Sequence, residues 1–322
     1  MRARHGSMGV MTDRAADREL PGAVLAELRG VSKTYGSGGS AVLAVEGVDL
    51  SVRAGELLAV LGPNGAGKTT VLGMLTGLTT PSSGTARLFG RDPRYLGARQ
   101  RMGVMLQSSG VPDTLRVREL LTAFRGYYPA PLPVASVVEA AGLHGLENRL
   151  FGTLSGGQQR RVLFGIALCG DPQLVFVDEP TTGLDAEVRR TLWATLRTLA
   201  ATGRGVVLTT HYLEEADALA DRIVLLHEGR VIAEGTPSQI KSLVPGRRIT
   251  AESSIEAGQA SGWAGVRHAQ RDGTRLELLV SEPEPVLREL LQRDQSVTGV
   301  TVTEPTLEDA FLTLTDRRKE AA

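Results

Sequence analysis

An α/β fold built on a parallel core sheet is predicted by three features of this 322-residue sequence. The apolar run Leu57–Leu61 leads directly into a glycine-rich loop, Gly62-Pro-Asn-Gly-Ala-Gly-Lys68-Thr69, and then into a helix-compatible stretch reaching Leu78. Two more short apolar runs, Leu174–Val177 and Gly205–Thr210, end at polar residues, Asp178 and His211. Runs that are apolar throughout are the pattern of strands covered on both faces, and strands alternating with helical stretches build parallel sheets.

Taken in order, residues 1–21 lack periodicity, offer three possible start methionines (Met1, Met8, Met11) and read as a flexible tail. Residues 22–55 are β-rich: Val48, Leu50 and Val52 alternate with polar neighbours, a half-buried strand. The strand, glycine loop and helix occupy 56–80, and Thr80–Gly84 is turn-rich. The segment from about 108 to 165 reads as mostly helical, with Thr114 as candidate N-cap before Val117–Phe124. Ile223–Leu226 and Val231–Ala233 flank Glu228-Gly229, a hairpin signal.

Composition shifts near 243, so the larger domain is expected over 22–242 and a small α+β domain with a tail over 243–322. In the latter, the small polar residues 251–262 read as a linker or surface loop. A strand follows at Arg275–Val280, then a helix with Pro285 in its first turn and a strand near 297–303. Leu307, Ala310, Phe311 and Leu314 have helical spacing.

Composition narrows the function classes. Lys and Arg together equal Asp and Glu, 36 each, so the formal charge is zero and no global field favours nucleic acid or an anionic membrane. Cys169 is the only cysteine; an internal disulfide is excluded, and its apolar flank implies a buried thiol. No apolar run approaches the roughly 18 residues of a membrane span. The first twenty residues lack a signal-peptide core. A cytoplasmic protein is therefore expected, with any membrane spans supplied by another chain.

The glycine loop carries the sharpest chemistry. It matches G-x-x-x-x-G-K-[ST] between a strand and a helix, the context of a phosphate site. Gly62, Gly65 and Gly67 let the backbone wrap tightly, so that N–H groups along Gly62, Pro63, Asn64, Gly65, Ala66, Gly67, Lys68, Thr69 and Thr70 can face phosphate oxygens, proline excepted. Lys68 supplies a compact charge for the β- and γ-phosphates, and the Thr69 hydroxyl is a Mg2+ ligand candidate.

Asp178 and Glu179 stand where a buried strand ends, the edge at which open parallel sheets build ligand sites. There Asp178 is placed to hold Mg2+ and Glu179 to take a proton from water, although an acidic loop after a core strand has the same composition. Leu154-Ser-Gly-Gly-Gln-Gln reads as a helix start. Ser155 is its cap, and the Gly156 and Gly157 N–H groups can bind an anion.

Together these segments resemble the nucleotide-binding subunit of ABC (ATP-binding cassette) transporters over about residues 22–240, with the motifs in family order. The fold so implied is a P-loop NTPase cassette: a parallel core sheet, a β-rich antiparallel subdomain and a helical subdomain over about 108–165. By the resemblance, Leu154–Gln158 is the family signature, and Ser155, Gly156, Gly157 and Gln158 address nucleotide bound by a second subunit.

Tyr35 matches the aromatic that stacks on adenine. Gln107 matches the glutamine loop that touches Mg2+ or water and relays to the membrane partner. Gly183-Leu-Asp185 matches the loop crossing the dimer interface, and His211 the histidine that orients the γ-phosphate and water. The implied ligands are ATP and Mg2+, the latter at Thr69, Gln107 and Asp178. The implied partners are a second nucleotide-binding subunit, in a homodimer, and an integral-membrane permease, with no nucleic acid.

The segment Glu304-Pro-Thr-Leu-Glu-Asp-Ala-Phe-Leu312 resembles a motif of type-2 exporter ATPases, including daunorubicin/doxorubicin-resistance subunits. This implies ATP-driven export of a drug-like or lipid-like molecule through a separate permease, at the cytoplasmic face of the membrane. An importer or cofactor-delivery ATPase is one alternative. A non-transport member acting on ribosomes or DNA is the other, although such members carry paired cassettes or long coiled coils that this sequence lacks.

Overall fold

Three sheets organise the chain in the computed structural model, which describes residues 20, 22–106 and 110–320, with the side chains of 39 and 316–320 excepted. Apart from Leu20, the expected N-terminal tail lies outside the described residues, as does Gln107. The chain forms two compact units, one ending at Ala233 and one spanning Glu234–Ala322.

The first unit opens with β1 (Val24–Tyr35) and β2 (Val42–Arg53), a long antiparallel pair. Val48, Leu50 and Val52 are buried while Asp49 between them is exposed, so the alternation faces the core as read. Next comes β3 (Leu57–Leu61), every residue of it buried, then the glycine loop and α1 (Lys68–Leu75). β4 (Ser83–Leu88) turns back to pair with β1, completing a sheet of order β2-β1-β4.

α2 (Leu96–Arg99) and β5 (Met102–Met105) precede a helical stretch of α3 (Val117–Arg125), α4 (Val134–Ala140) and α5 (Gly156–Leu168). Thr114 does not cap α3. That helix starts at Val117 as expected, but its N-cap is Arg116, whose backbone N–H donates to the Glu119 carboxylate at 2.7 Å. The remaining elements are β6 (Leu174–Asp178), α6 (Ala186–Ala201), β7 (Gly205–Thr210), α7 (Leu213–Leu219), β8 (Arg222–His227) and β9 (Arg230–Gly235).

The core sheet runs β5-β6-β7-β3-β8-β9, with β5, β6, β7, β3 and β8 mutually parallel. β3 sits in mid-sheet, and its last residue, Leu61, is level with Thr210 of β7, while Asp178 of β6 is level with Thr209. Strand order and register therefore bring sequence-distant loops to one edge. The predicted hairpin forms between β8 and β9, with Glu228 and Gly229 both at positive φ, 48° and 75°, as a tight two-residue turn requires.

The second unit begins before the expected boundary because α8 (Pro237–Ser242) packs against the C-terminal helix and so belongs to it. It contains β10 (Arg247–Glu252), α9 (Ala257–Ala260), β11 (Val266–Asp272), β12 (Arg275–Val280), α10 (Pro283–Arg293), β13 (Thr298–Thr303) and α11 (Leu307–Glu320). The antiparallel sheet β11-β12-β10-β13 carries a core of Ile249, Leu276, Leu278, Val286, Leu290 and Trp263.

Residues 251–262 are not a linker. Ala251 lies in β10, Ile255 and Ala260 are buried, and Ser253 and Ser254 donate to Asp294. The small polar side chains that resembled a loop are the ones this internal bonding needs.

Candidate functional site

The loop after β3 depends on close backbone approach. A Cβ on Gly62 would lie 2.3 Å from the Leu226 carbonyl oxygen, and one on Gly67 would lie 2.7 Å from that of Ala44. Gly67 also has φ +102°, a conformation open to glycine, where it caps α1. The Ala66 N–H donates to the Pro63 carbonyl and the Gly229 N–H to the Ala66 carbonyl, each at 3.1 Å, which pins the loop to the β8–β9 turn. Pro63, Asn64 and Gly65 stay exposed at its crest, Thr69 is exposed, and Thr70 is half-buried.

Lys68 is 6% exposed, and its Nζ donates to the Gly62 carbonyl at 2.6 Å and the Pro63 carbonyl at 3.1 Å. Burial pushes its pKa down, and the nearby Glu179 and Asp178 carboxylates partly restore it. The lysine, the loop and both acids thus share one electrostatic neighbourhood.

At the end of β6, Asp178 is buried and accepts a hydrogen bond from the Thr209 hydroxyl. Glu179 adopts φ +47°, a left-handed conformation that costs a non-glycine residue about 1–3 kcal/mol. Contacts from three sides hold it there. Its N–H donates to the Thr209 carbonyl at 3.0 Å, Arg160 of α5 donates to its carbonyl at 2.8 Å, and His211 Nδ1 meets its Oε1 at 3.1 Å.

Ser155 caps α5. The Gln158 N–H donates to Ser155 Oγ at 3.3 Å, and the Ser155 N–H donates to Gln158 Oε1 at 3.1 Å. Gly156 and Gly157 form the first helical turn, whose N–H groups have no partners within a helix. Asp185 caps α6 by accepting from the Glu187 and Val188 N–H groups at 3.1 and 2.9 Å. A Cβ on Gly157 would touch Leu184 at 3.1 Å, so the signature loop and the Gly183–Asp185 loop are neighbours. Tyr35 ends β1 and is 44% exposed, with Lys33 Nζ 5.0 Å from its ring centre.

Lys68, Asp178, Glu179 and His211 therefore converge within one chain. Among the described residues, no hydrogen bond joins Ser155 to the loop Gly62–Lys68. Thr209 and Arg160 were not singled out from sequence. Thr209 had a signal, a hydroxyl one residue before the end of an apolar strand, whereas Arg160 had none beyond its place after the glycine pair.

The residues present suit a nucleoside triphosphate with a hard cation. The loop is a cradle that side chains would fill, and a buried amine sits beneath it. No cluster of three or more His, Cys, Asp or Glu able to hold a metal exists among the described residues. That donor set fits a Mg2+ taking most of its ligands from phosphate and water, with Thr69 and Asp178 as the protein's contribution.

A strand, glycine loop and helix beside an acidic strand end on a parallel sheet define a P-loop nucleotide hydrolase. Residues 45–182 match the family described as ABC transporter. The Nod factor export ATP-binding protein I of Burkholderia lata is 38% identical over 307 residues, covering 91% of this chain and 98% of that protein. The daunorubicin/doxorubicin resistance ATP-binding protein DrrA of Streptomyces peucetius is 37% identical over 318 residues, covering 92% and 95%.

Among solved structures, the dimeric structure of a bacterial ABC transporter cassette superposes with TM-score 0.61 at 26% identity, covering 66% of this chain and 98% of that one. A post-hydrolysis state of a dimeric cassette bound to ADP and Pi superposes equally well, at 26% identity and the same coverage. The chain belongs to the ABC transporter family. It is an ATP-binding, ATP-hydrolysing subunit homologous to exporter ATPases, of a kind whose cassettes dimerise and work with membrane permeases.

Proposed function

We propose that the chain powers export of a drug-like or lipid-like molecule through a separate permease, working as a homodimer at the cytoplasmic face of the membrane. The observation that carries this reading is that the likeness to exporter ATPases runs through nearly the whole chain, the second unit included. The relatives are named for Nod factor export and for daunorubicin/doxorubicin resistance, which supports a lipid-like or drug-like substrate. Among the described residues, no helix is long and apolar enough to cross a membrane, and this reading assigns the spans to a separate permease.

In this reading the Gly62–Thr70 loop binds the phosphates of ATP, Lys68 neutralises the β- and γ-groups, and Tyr35 stacks on the base. Thr69, Asp178 and Gln107 would hold Mg2+, which when bound would supply charge neutralisation on the transferring phosphoryl group. Glu179 takes the proton of the attacking water, and His211 holds the water and γ-phosphate in line. Ser155, Gly156, Gly157 and Gln158 of a second copy close the site with a helix N-terminus facing the γ-phosphate. Loss of phosphate after hydrolysis removes that attraction and opens the pair.

A groove lined by Leu78, Leu96, Gln100, Phe124, Tyr127 and Tyr128 receives the permease. Leu78, Leu96 and Tyr127 are 58%, 67% and 71% exposed there, an apolar patch suited to a protein partner. The test is to purify the tagged full chain from detergent-solubilised membranes. Recovery of a permease that stimulates its ATPase and drives ATP-dependent uptake of a lipid-like drug into inverted vesicles is the expected result. Recovery on ribosomes or DNA without a permease overturns the reading.

A further inference from the structure

Among the described residues of the first unit, the hydrolytic chemistry leaves one buried acid without a role. Glu215, in the first turn of α7, is 2% exposed. Its Oε2 accepts from the Thr181 hydroxyl at 3.2 Å and its Oε1 from the Trp193 indole N–H at 2.9 Å. The Thr210 hydroxyl also hydrogen-bonds to it.

These donors come from three different elements. Thr181 lies in the loop two residues beyond Glu179, Trp193 in α6, the helix that Asp185 caps, and Thr210 closes β7 immediately before His211. Thr210 Oγ1 in turn accepts from the Tyr212 N–H at 3.0 Å, so the residues on both sides of His211 are tied to this carboxylate.

We infer that Glu215 is a positioning residue for ATP hydrolysis, which holds the Glu179 loop and the His211 loop in fixed relation by accepting hydrogen bonds from both. This inference rests on the assignment of Glu179 and His211 proposed above.

The physical argument is one of cost and capacity. Burial pushes the pKa of Glu215 up, and only partly do its hydrogen bonds bring it back. An apolar residue would fill the same space without that penalty. What a carboxylate adds is acceptor capacity for several donors at once. Thr181 and Thr210 are 5% and 0% exposed, so without Glu215 their hydroxyls have no water to turn to. Misplacement of the His211–Glu179 pair by a fraction of an ångström then reaches the chemical step while leaving the phosphate loop untouched.

The experiment is steady-state ATP hydrolysis by the full chain carrying Glu215→Ala or Glu215→Gln. Its second readout is the 15N-resolved Trp193 indole resonance, assigned with Trp193→Phe. Glu215→Ala is expected to lower kcat about 10- to 100-fold with the KM for ATP within about twofold, the pattern of an interaction made only in the transition state. Its indole signal shifts toward that of an unbonded N–H.

Glu215→Gln keeps its one oxygen for the Trp193 N–H and turns its amide N–H groups toward the Thr181 and Thr210 hydroxyls, which can accept as well as donate. It is expected to stay within about threefold of wild type, with the indole signal in place. Should Glu215→Ala fail to fold, Thr181→Val and Trp193→Phe each delete one donor and are expected to lower kcat partially at unchanged KM.

Wild-type kcat in Glu215→Ala, a KM that rises as kcat falls, or a Glu215→Gln variant as slow as Glu215→Ala overturns the inference. If Glu179→Gln and His211→Ala also turn over at the wild-type rate, the site assignment itself falls. If those two are slow while Glu215→Ala is fast, only the positioning role falls.

Discussion

His211 Nδ1 meets Glu179 Oε1 at 3.1 Å, although the two residues follow different strands and lie 32 positions apart in sequence. A carboxylate oxygen accepts, so in this contact the imidazole donates through Nδ1–H. The contact exists because β6 and β7 are parallel neighbours in a register that levels Asp178 with Thr209. One hydrogen bond thus aligns the proposed base with the proposed γ-phosphate sensor.

That alignment predicts the behaviour of Glu179→Gln. The amide keeps the size and the contact with His211 but cannot take a proton from water. Turnover is expected to fall about 10²- to 10⁴-fold while ATP binding persists. Gel filtration with ATP should show an accumulated dimer. Rapid turnover by the variant removes Glu179 from the role of base.

Lys68→Ala should fail earlier, at binding. Two unit charges about 4 Å apart interact by about 4 kcal/mol at an effective dielectric of 20. A typical surface substitution costs about 0.5 kcal/mol. Equilibrium titration with a fluorescent ATP analogue is expected to show most of the affinity gone, and unchanged affinity contradicts the phosphate role of Lys68.

Which parts of this arrangement could be read from the sequence follows from what each residue had to do. β3, β6 and β7 were legible because strands covered on both faces must be apolar throughout, and their polar ends marked the site edge. Residues 251–262 were misread because composition cannot show that Ser253 and Ser254 serve Asp294, some 40 positions away. Thr114 looked like a cap, yet α3 takes its capping acceptor from Glu119, inside the helix. Glu215 was invisible: in Leu213-Glu-Glu-Ala216 both acids look solvent-facing, and only the fold exposes Glu214 and buries its neighbour. The groove at Leu78, Leu96 and Tyr127 has no sequence pattern because its apolar residues come from several separate elements.

Cys169 offers a probe of the first unit's opening. The thiol is fully buried, and desolvation pushes its pKa up to about 12. At pH 8 almost no thiolate forms and no reagent reaches it. An aromatic disulfide reagent is therefore expected to label the native chain at the rate of unfolding, and to label it at once in denaturant. Fast labelling of native protein contradicts this burial.

Asp294 gives the second unit an acid-sensitive joint. Hydrogen bonds from Ser296 and Ser253, with the Ser254 N–H, hold its carboxyl below the usual range. A depressed folded-state pKa contributes stability that is fully present above the unfolded value of about 4 and lost as pH falls through the folded value. Asp294→Asn should lower stability at neutral pH and flatten the acid limb of the unfolding curve. An unchanged acid limb removes Asp294 as its source.

Arg248 of β10 bears on the segment Glu304–Leu312 that first suggested an exporter. Its guanidinium donates to Asp309 at 2.8 Å, to the Thr306 hydroxyl at 3.3 Å and to Glu277 of β12. Asp309 also accepts from the Thr306 N–H at 2.7 Å, closing the first turn of α11. Arg248, Asp309 and Glu277 side chains are 11%, 4% and 16% exposed, so the network is poorly hydrated.

Removing one member of such a network strands the others' charge, typically at about 3–5 kcal/mol. Arg248→Ala is therefore expected to release α11 to limited proteolysis and to lower the unfolding midpoint. Arg248→Lys should fall between it and wild type, because an ammonium lacks the planar fork that bridges two carboxylates. In Asp309→Asn the amide can still cap Thr306 but loses the ion pair, so comparing it with Arg248→Ala separates capping from charge. Equal stability of all three variants and wild type contradicts a structural role for this network.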